Sequence, residues 1–248
     1  MNTTTKSPES PAATRDLVAV LVALVLPSVV TWLYFFQAER LPAGAQGAVF
    51  GVVKVLQFAF PAVWMIWVAR RPPQIKWPGL GGVAIGVAFG LVVAGAMLAL
   101  YYQWLSTAPD FEGAEDAMEA KLLGFGLTSA WKFAALGVFY SLCHSLLEEY
   151  YWRWFVFGQL QRFTTFTTAM VVSSLGFMAH HVLVLGKYFG FDSWQTWAFS
   201  LCVAVGGGVW AWLYKRTGSL LGPWISHLIV DAAIFWLGFE IGRDQFIG

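Results

Sequence analysis

Seven long apolar stretches constrain the fold of this chain more than any other feature of its sequence. A helix that crosses the hydrocarbon core of a bilayer needs about 20 mainly apolar residues, and each stretch is close to that length or exceeds it. We therefore predict an all-α integral membrane protein with about seven transmembrane helices, at residues 16–38, 48–69, 80–105, 130–157, 168–186, 194–214 and 219–242.

The composition supports a membrane protein. Hydrophobic residues make up 58% of the chain and charged residues only 12%, whereas about a quarter of the residues in a soluble domain are charged. The connections between the apolar stretches carry helix breakers such as Pro42, Pro72-Pro73 and Thr217-Gly218. The net charge of +1 gives no indication of a nucleic-acid partner.

The polar segments divide the chain into three parts. Residues 1–15 are polar and rich in Thr, Ser and Pro, which predicts a disordered cytoplasmic tail. Residues 16–127 hold the first three helices and an acidic segment, 106–129, which is predicted to be a solvated loop or a surface helix. Residues 128–248 hold the other four helices and most of the ionisable side chains at membrane depth, so they are the predicted membrane core that carries the functional site.

The distribution of Lys and Arg predicts the orientation. Short loops on the cytoplasmic side carry an excess of these residues. With the N-terminus inside, the inner segments hold eight of them and the outer segments four: Lys6, Arg15, Arg70, Arg71, Lys76, Arg162, Lys215 and Arg216 against Arg40, Lys121, Lys187 and Arg243. We therefore expect a multi-pass protein of the cell (inner) membrane with a cytoplasmic N-terminus and an external C-terminus.

Charged residues in the fourth helix indicate a functional site. Glu148, Glu149 and Arg153 lie in a stretch that is otherwise almost wholly apolar and aromatic. A charged side chain at the centre of a membrane-spanning helix costs roughly 2.5–3.5 kcal/mol on insertion scales. Three charges at such a cost indicate that the side chains pair with one another or with other polar groups, or that they take part in chemistry.

Helical spacing groups the polar residues into pairs. Residues four apart share a helix face, and three pairs have that spacing: His144 with Glu148, Glu149 with Arg153, and His227 with Asp231. Together they predict a single polar cavity among helices four, five and seven. Glu149 and Arg153 fit a structural ion pair as well as a functional one, and His144 is expected to be a helix-packing histidine. Of His180 and His181, only one is expected to point inward, because adjacent helical residues diverge by about 100°.

Four of these groups, Glu148, His181, His227 and Asp231, suit hydrolysis of a carbonyl compound. Glu and His side chains can remove a proton from water, and a second His can stabilise the resulting oxyanion. A catalytic zinc site is the alternative, with Glu148, His181 and His227 as ligands, with or without His144. The sequence has no H-E-x-x-H motif, so we expect no metal cofactor and keep zinc as the alternative. It also has no G-x-S-x-G motif that would indicate a nucleophilic serine.

The same residues resemble three motifs of the CPBP family, the CAAX-protease and bacteriocin-processing (Abi) intramembrane endopeptidases. The segment EEYYWRWFVFGQL (148–160) resembles its EExxxR motif, LGFMAHHV (175–182) its FxxxH motif, and RTGSLLGPWISHLIVDAAIF (216–235) its third motif, a His followed after three residues by Asn or Asp. The resemblance covers about residues 128–240. The first three helices look like generic membrane spans.

The resemblance implies roles for the residues. Glu148 and His181 would activate the water, His227 and Asp231 would form the oxyanion site, and Glu149, Arg153 and Phe177 would orient the cavity. The substrate would be a membrane-associated protein or peptide, cut near its C-terminal end in processing or in removal of a sorting anchor. The chain is expected to be a bacterial-type membrane protein with a cytoplasmic N-terminus, which makes prenyl-cysteine substrates the less favoured class.

Two other functions are kept as alternatives. A proton-coupled or cation-coupled transporter would also bury Glu, His and Asp side chains. However, the first three helices offer few polar residues beyond Lys54 to form a path. A non-catalytic protein of the bacteriocin-immunity type could retain the motifs without activity.

Overall fold

The computed structural model describes residues 11–37, 41–71, 76–77, 79–108, 122, 129–243 and 246. These ranges are mainly helical and contain no β-strand. Seven helices are long and apolar enough to span a membrane: α1 (Pro11–Gln37), α2 (Gly47–Val68), α3 (Leu80–Thr107), α4 (Ala130–Leu160), α5 (Phe166–Phe189), α6 (Trp194–Thr217) and α7 (Leu221–Ile241). The prediction of an all-α, multi-pass membrane protein is confirmed.

Two predicted polar segments differ from expectation or lie outside the described residues. Helix α1 begins at Pro11 rather than at residue 16, so the last five residues of the predicted tail are helical. Proline is favoured at the first helical position because its missing N–H would have no partner there. Residues 1–10 lie outside the described residues, as does the acidic segment 106–129 apart from 106–108, 122 and 129.

The helices expose large apolar side chains, as a bilayer-spanning protein requires. Val55, Val92 and Trp131 are each about 70% exposed, at 68%, 69% and 70%, and their surroundings in the membrane would be lipid. Cys143 and Cys202, which lie in apolar stretches and would be expected to be buried, are exposed on the same kind of surface.

Helix α4 is not a regular α-helix. Its residues Tyr140–His144 and Tyr150–Phe157 are π-helical, and the short α-helical stretch Ser145–Glu149 lies between them. A π-helical turn bonds residue i to residue i+5 and so rotates the side chains that follow it, and such turns are frequent at functional sites. The directions of Glu148 and Glu149 therefore depend on the first segment, and that of Arg153 on the second.

The described chain forms two compact units, and the first falls within residues 1–76, 150–184 and 197–212. Its core includes Tyr151, Phe155 and Phe157, whose side chains are fully buried. The hydroxyl of Tyr151 donates a hydrogen bond to the Ala23 carbonyl in α1, at 2.8 Å. Pro27 lies four residues after Ala23 and has no N–H to offer. Tyr151 thus supplies the donor that α1 itself lacks.

The second unit falls within residues 77–149, 185–196 and 213–248, and its centre is the contact between α3 and α7. Glycines allow the two backbones to meet. A Cβ atom built on Gly86 would collide with the carbonyl oxygen of Gly222, and one built on Gly90 would lie 2.9 Å from the carbonyl oxygen of Ser226. Helix α3 is therefore not a generic span, because it supports the helix that carries His227 and Asp231.

Tryptophan side chains also connect α7 to its neighbours in the second unit. Nε1 of Trp224 donates to the carbonyl oxygen of Leu142 in α4, at 3.0 Å. Nε1 of Trp236 donates to the hydroxyl of Tyr102 in α3, also at 3.0 Å. Each bond satisfies a polar tip on an otherwise apolar ring, and together they fix α7 against both helices.

Candidate active site

The second unit brings five of the predicted polar residues together. We call them the acid–histidine cluster: His144, Glu148 and Glu149 on α4, with His227 and Asp231 on α7. Glu149 is fully buried, and Glu148 and His227 are 5% and 4% exposed. Burial at this level means that each charge interacts mainly with the other members of the cluster rather than with solvent.

His227 lies at the centre of the cluster. Its Nδ1 is 2.9 Å from Oε1 of Glu149. Its Nε2 is 3.5 Å from Oδ1 of Asp231 and 3.7 Å from Oε2 of Glu148. An ionised Glu149 accepts a hydrogen bond from Nδ1–H, which fixes the ring and directs Nε2 toward the other two carboxylates.

Glu148 lies between two histidines. Its Oε1 is 3.4 Å from Nε2 of His144, and its Oε2 faces His227. The His144 ring in turn packs on Tyr140, with 4.7 Å between ring centroids. The predicted pairs His144–Glu148 and His227–Asp231 are confirmed as contacts, and His144, expected to be a packing histidine, also lies at ion-pair distance from Glu148.

The arrangement suits proton transfer. The Glu148 carboxylate has one oxygen toward each of two imidazoles. It can take up a proton while the two imidazoles compensate the change in its charge. Donors preorganised in a site from which water is largely excluded stabilise a developing charge more strongly than they would in water. The acid–histidine cluster therefore has the composition of a general acid–base site.

The first unit holds the other predicted residues, Arg153, Phe177 and His181. The Arg153 guanidinium lies over two aromatic rings, 4.6 Å from the centroid of Phe177 and 4.9 Å from that of Trp210. Cation–π contacts of this kind are strongest when they are desolvated, and Arg153 is 2% exposed. A Cβ on Gly207 would lie 3.3 Å from Nη2 of Arg153, so this glycine makes room for the guanidinium.

The two neighbouring histidines of α5 have different surroundings. His180 is buried and stacks on Trp152, with ring centroids 5.7 Å apart and planes 3° apart. Nδ1 of His181 is 2.9 Å from the carbonyl oxygen of Phe177. A carbonyl oxygen only accepts hydrogen bonds, so Nδ1 of His181 carries the proton and the Nε2 lone pair of the neutral ring is directed away from Phe177. This tautomer suits a general base.

The zinc alternative names ligands on α4, α5 and α7, all within the described ranges. Among those residues, no group of three or more His, Cys, Asp or Glu side chains is arranged to hold a metal ion.

The predicted site residues do not include two features of the site. The hydrogen bond between Glu149 and His227 joins residues 78 positions apart, and spacing along one helix gives no signal for it. Tyr140 could have been found, because it lies four residues before His144 and eight before Glu148, on the same face of a helix. Its place beside His144 makes it part of the surroundings of the cluster.

Comparison with known protein families gives a match over part of the chain. Residues 130–233 match the family model described as Type II CAAX prenyl endopeptidase Rce1-like. The matched region runs from the start of α4 into α7 and contains Glu148, His181, His227 and Asp231. Comparisons with curated proteins and with solved structures found no match.

Proposed function

Because residues 130–233 belong to the Rce1-like family of type II CAAX prenyl endopeptidases, we propose that the chain is an intramembrane endopeptidase acting on a membrane-associated protein or peptide. The family is one of membrane proteases. The finer proposal is hydrolysis of one peptide bond by a water molecule that Glu148 and His181 activate, in C-terminal processing or removal of a sorting anchor.

The observation that carries this proposal is the position of Glu148. It is buried, and its two carboxylate oxygens face His144 and His227. A structural ion pair would need one cationic partner. A carboxylate with imidazoles on both sides is instead arranged to gain and lose a proton at little cost in charge separation.

The proposed reaction has two proton transfers. A water O–H bond breaks as its oxygen attacks the peptide carbonyl, and the proton passes to the Glu148 carboxylate, with His181 sharing the role of base. His227 and Asp231 stabilise the oxyanion of the tetrahedral intermediate. The C–N bond then breaks as the proton from Glu148 passes to the leaving nitrogen.

Glu149, Arg153 and Phe177 have positioning roles in this proposal. Glu149 binds Nδ1 of His227 and so sets the direction of Nε2. Phe177 contacts both Arg153 and His181, since its ring centroid lies 4.6 Å from the guanidinium carbon and 4.7 Å from the imidazole centroid. These three residues would hold the reacting side chains in place, as residues packed around the catalytic side chains do in other enzymes.

The direct test is cleavage of quenched peptides with apolar C-terminal segments by the detergent-purified chain, with and without a chelator. His181→Ala is expected to lower kcat by a factor of roughly 10²–10⁴, the usual contribution of a general base. His180→Ala is the matched control, because it removes the neighbouring imidazole. We expect cleavage to be insensitive to the chelator.

Each other outcome has a defined meaning. Loss of cleavage on adding a chelator, with recovery on adding zinc, would favour the metal alternative. Loss in His180→Ala with full activity in His181→Ala would contradict the assignment of the base. The transporter alternative would be favoured if the chain cleaved no peptide but a proton gradient drove uptake of a solute into proteoliposomes that contain it.

Asp231→Asn is expected to retain most of the cleavage activity. An ionised Asp beside a developing oxyanion would oppose it, so we infer that Asp231 is protonated or orients His227, whose Nε2 lies 3.5 Å from its Oδ1. The Asn amide preserves both functions, because its oxygen accepts a hydrogen bond and its NH₂ group donates one. The measurement is kcat in the same peptide assay, and complete loss would show that the charge of Asp231 is required.

A further inference from the structure

Asp16, near the start of α1, is surrounded by three arginines. Its Oδ2 is 2.9 Å from Nη1 of Arg162 and 3.5 Å from Nη1 of Arg71, and its Oδ1 is 3.3 Å from Nη2 of Arg15. The Asp16 side chain is 3% exposed, whereas those of Arg15, Arg71 and Arg162 are 47%, 41% and 27% exposed. We call these three the arginine cluster. All four residues belong to the first unit.

The arginine cluster carries more positive charge than Asp16 can neutralise. Asp16 is the only acidic residue among the described residues of the first unit, which also hold seven cationic residues: Arg15, Lys54, Arg70, Arg71, Lys76, Arg153 and Arg162. One guanidinium would be enough to pair one carboxylate. The other two leave a net charge of about +2 beside a buried aspartate, which attracts a further anion.

The hydrogen-bond capacity of the cluster is also in excess. Each guanidinium has five N–H donors. Among the described side chains, Arg15 and Arg162 donate hydrogen bonds to Asp16, and Arg162 also donates to Oε1 of Gln159 at 2.6 Å. Arg71 lies at ion-pair distance from Asp16, at 3.5 Å. The partly exposed faces of the guanidinium groups therefore have donors available for an acceptor outside the protein.

The cluster lies at one membrane surface. Arg15 is near the start of α1, Arg71 follows the end of α2, and Arg162 follows the end of α4. In a chain whose helices cross the bilayer in alternating directions, these three points lie on the same side, the one that the Lys and Arg count assigns to the cytoplasm. The Arg15 guanidinium lies 5.7 Å above the ring of Trp64, a residue type that is enriched at headgroup depth.

The backbone after α2 is held in the conformation that places Arg71. Arg70 has a φ of 54°, in the left-handed region that favours glycine, and it is the only non-glycine residue in the described chain with a positive φ. The reversal brings the Arg71 N–H to the Met65 carbonyl oxygen, at 2.7 Å. A left-handed residue followed by such a bond is a common way for a helix to end, and here it places Arg71 beside Asp16.

We propose that Arg15, Arg71 and Arg162 bind the headgroup of an anionic phospholipid in the leaflet that faces the start of α1. The planar guanidinium matches a phosphate oxygen pair in a bidentate arrangement. Basic residues at this depth are attracted to anionic lipids. Asp16 holds the three side chains together, and its single charge leaves the cluster cationic. This proposal is independent of the proposed protease activity.

The test is lipid binding to the full chain, measured by native mass spectrometry in detergent. Phosphatidylglycerol and phosphatidylcholine with the same acyl chains are titrated separately. Each basic residue near an anionic surface contributes about 1 kcal/mol, which corresponds to roughly fivefold in affinity. The double variant R71Q/R162Q, which leaves Arg15 to pair with Asp16, is expected to bind phosphatidylglycerol roughly 25-fold more weakly, with phosphatidylcholine binding unchanged.

The control variant is K215Q/R216Q, which removes two exposed cations from the end of α6, a site also assigned to the inner side. It is expected to keep the affinity for phosphatidylglycerol. The proposal is overturned if the two double variants lose affinity equally, or if R71Q/R162Q loses none. Displacement of the lipid by equimolar inorganic phosphate would also overturn it, since the site would then select a free anion.

A folding defect would not obscure the result. Thermal unfolding of R71Q/R162Q is measured beside the native chain. If the double variant does not fold, the single variant R71Q provides the measurement, because Arg71 contacts Asp16 only at 3.5 Å and is partly exposed. It is expected to bind phosphatidylglycerol roughly fivefold more weakly, and an unchanged affinity would overturn the proposal.

Discussion

Glu148→Gln is expected to lower peptide cleavage by a factor of roughly 10²–10⁴ in kcat. The amide preserves the volume and most hydrogen bonds of the side chain but cannot accept a proton from water. Glu148 is buried between His144 and His227. A carboxylate ion dissolved in the solvent therefore cannot take its place. The measurement is steady-state cleavage of the quenched peptides by the native chain and by the variant, with circular dichroism to verify folding.

Glu240→Gln is the matched control for this prediction. Glu240 is also a carboxylate in a membrane-spanning helix, but it pairs with Arg243, with 3.9 Å between Oε2 and Nη1, and does not belong to the acid–histidine cluster. Its replacement is expected to leave kcat within about twofold, because such pairs contribute little. Similar rates for Glu148→Gln and the native chain would remove Glu148 from the mechanism.

Gly86→Val is expected to separate α3 from α7 and to destabilise the fold by about 3 kcal/mol, the upper part of the usual range for overpacking. The added Cβ would collide with the Gly222 carbonyl oxygen. A backbone oxygen cannot rotate aside as a flexible side chain can, so the helices themselves must move. We expect a lower thermal unfolding temperature in detergent and a lower yield of folded protein.

The same substitution is expected to reduce cleavage in whatever protein remains folded. Helix α7 carries His227 and Asp231, and a misplacement of about 1 Å at a reacting group can lower a rate about 100-fold. Gly95→Val is the control on the same helix, because a Cβ at Gly95 meets no atom within 4 Å. If both variants unfold at the same temperature, the close contact between α3 and α7 does not limit stability.

Local periodicity was sufficient to predict part of the site. The contacts His144–Glu148 and His227–Asp231 follow from residues four apart on one helix. Periodicity could not predict that Glu149 binds His227, because this contact depends on how α4 and α7 pack. Nor could it predict the π-helical turns on either side of Ser145–Glu149, since they depend on side-chain packing more than on the local pattern of apolar residues.

The role of α3 shows the same limit. In the sequence, α3 has the composition of an ordinary apolar span. In the structure, its glycines allow α7 to approach closely enough for backbone contact. Small residues are common wherever helices pack in membranes, so the sequence does not indicate which neighbouring helix each glycine contacts. Only the packed structure identifies α7 as the partner.

By itself, the sequence determined the class of protein, the seven helices, and the charged and histidine residues that had to lie in the apolar spans. These properties follow from local physics, because the hydrophobic length of a helix and the cost of burying a charge depend on neighbouring residues alone. Tertiary structure decided that His227 lies among three carboxylates, that Tyr151 satisfies the Ala23 carbonyl, and that three arginines surround Asp16. Contacts between distant residues depend on which helix faces pack together, and that choice is made by the whole chain.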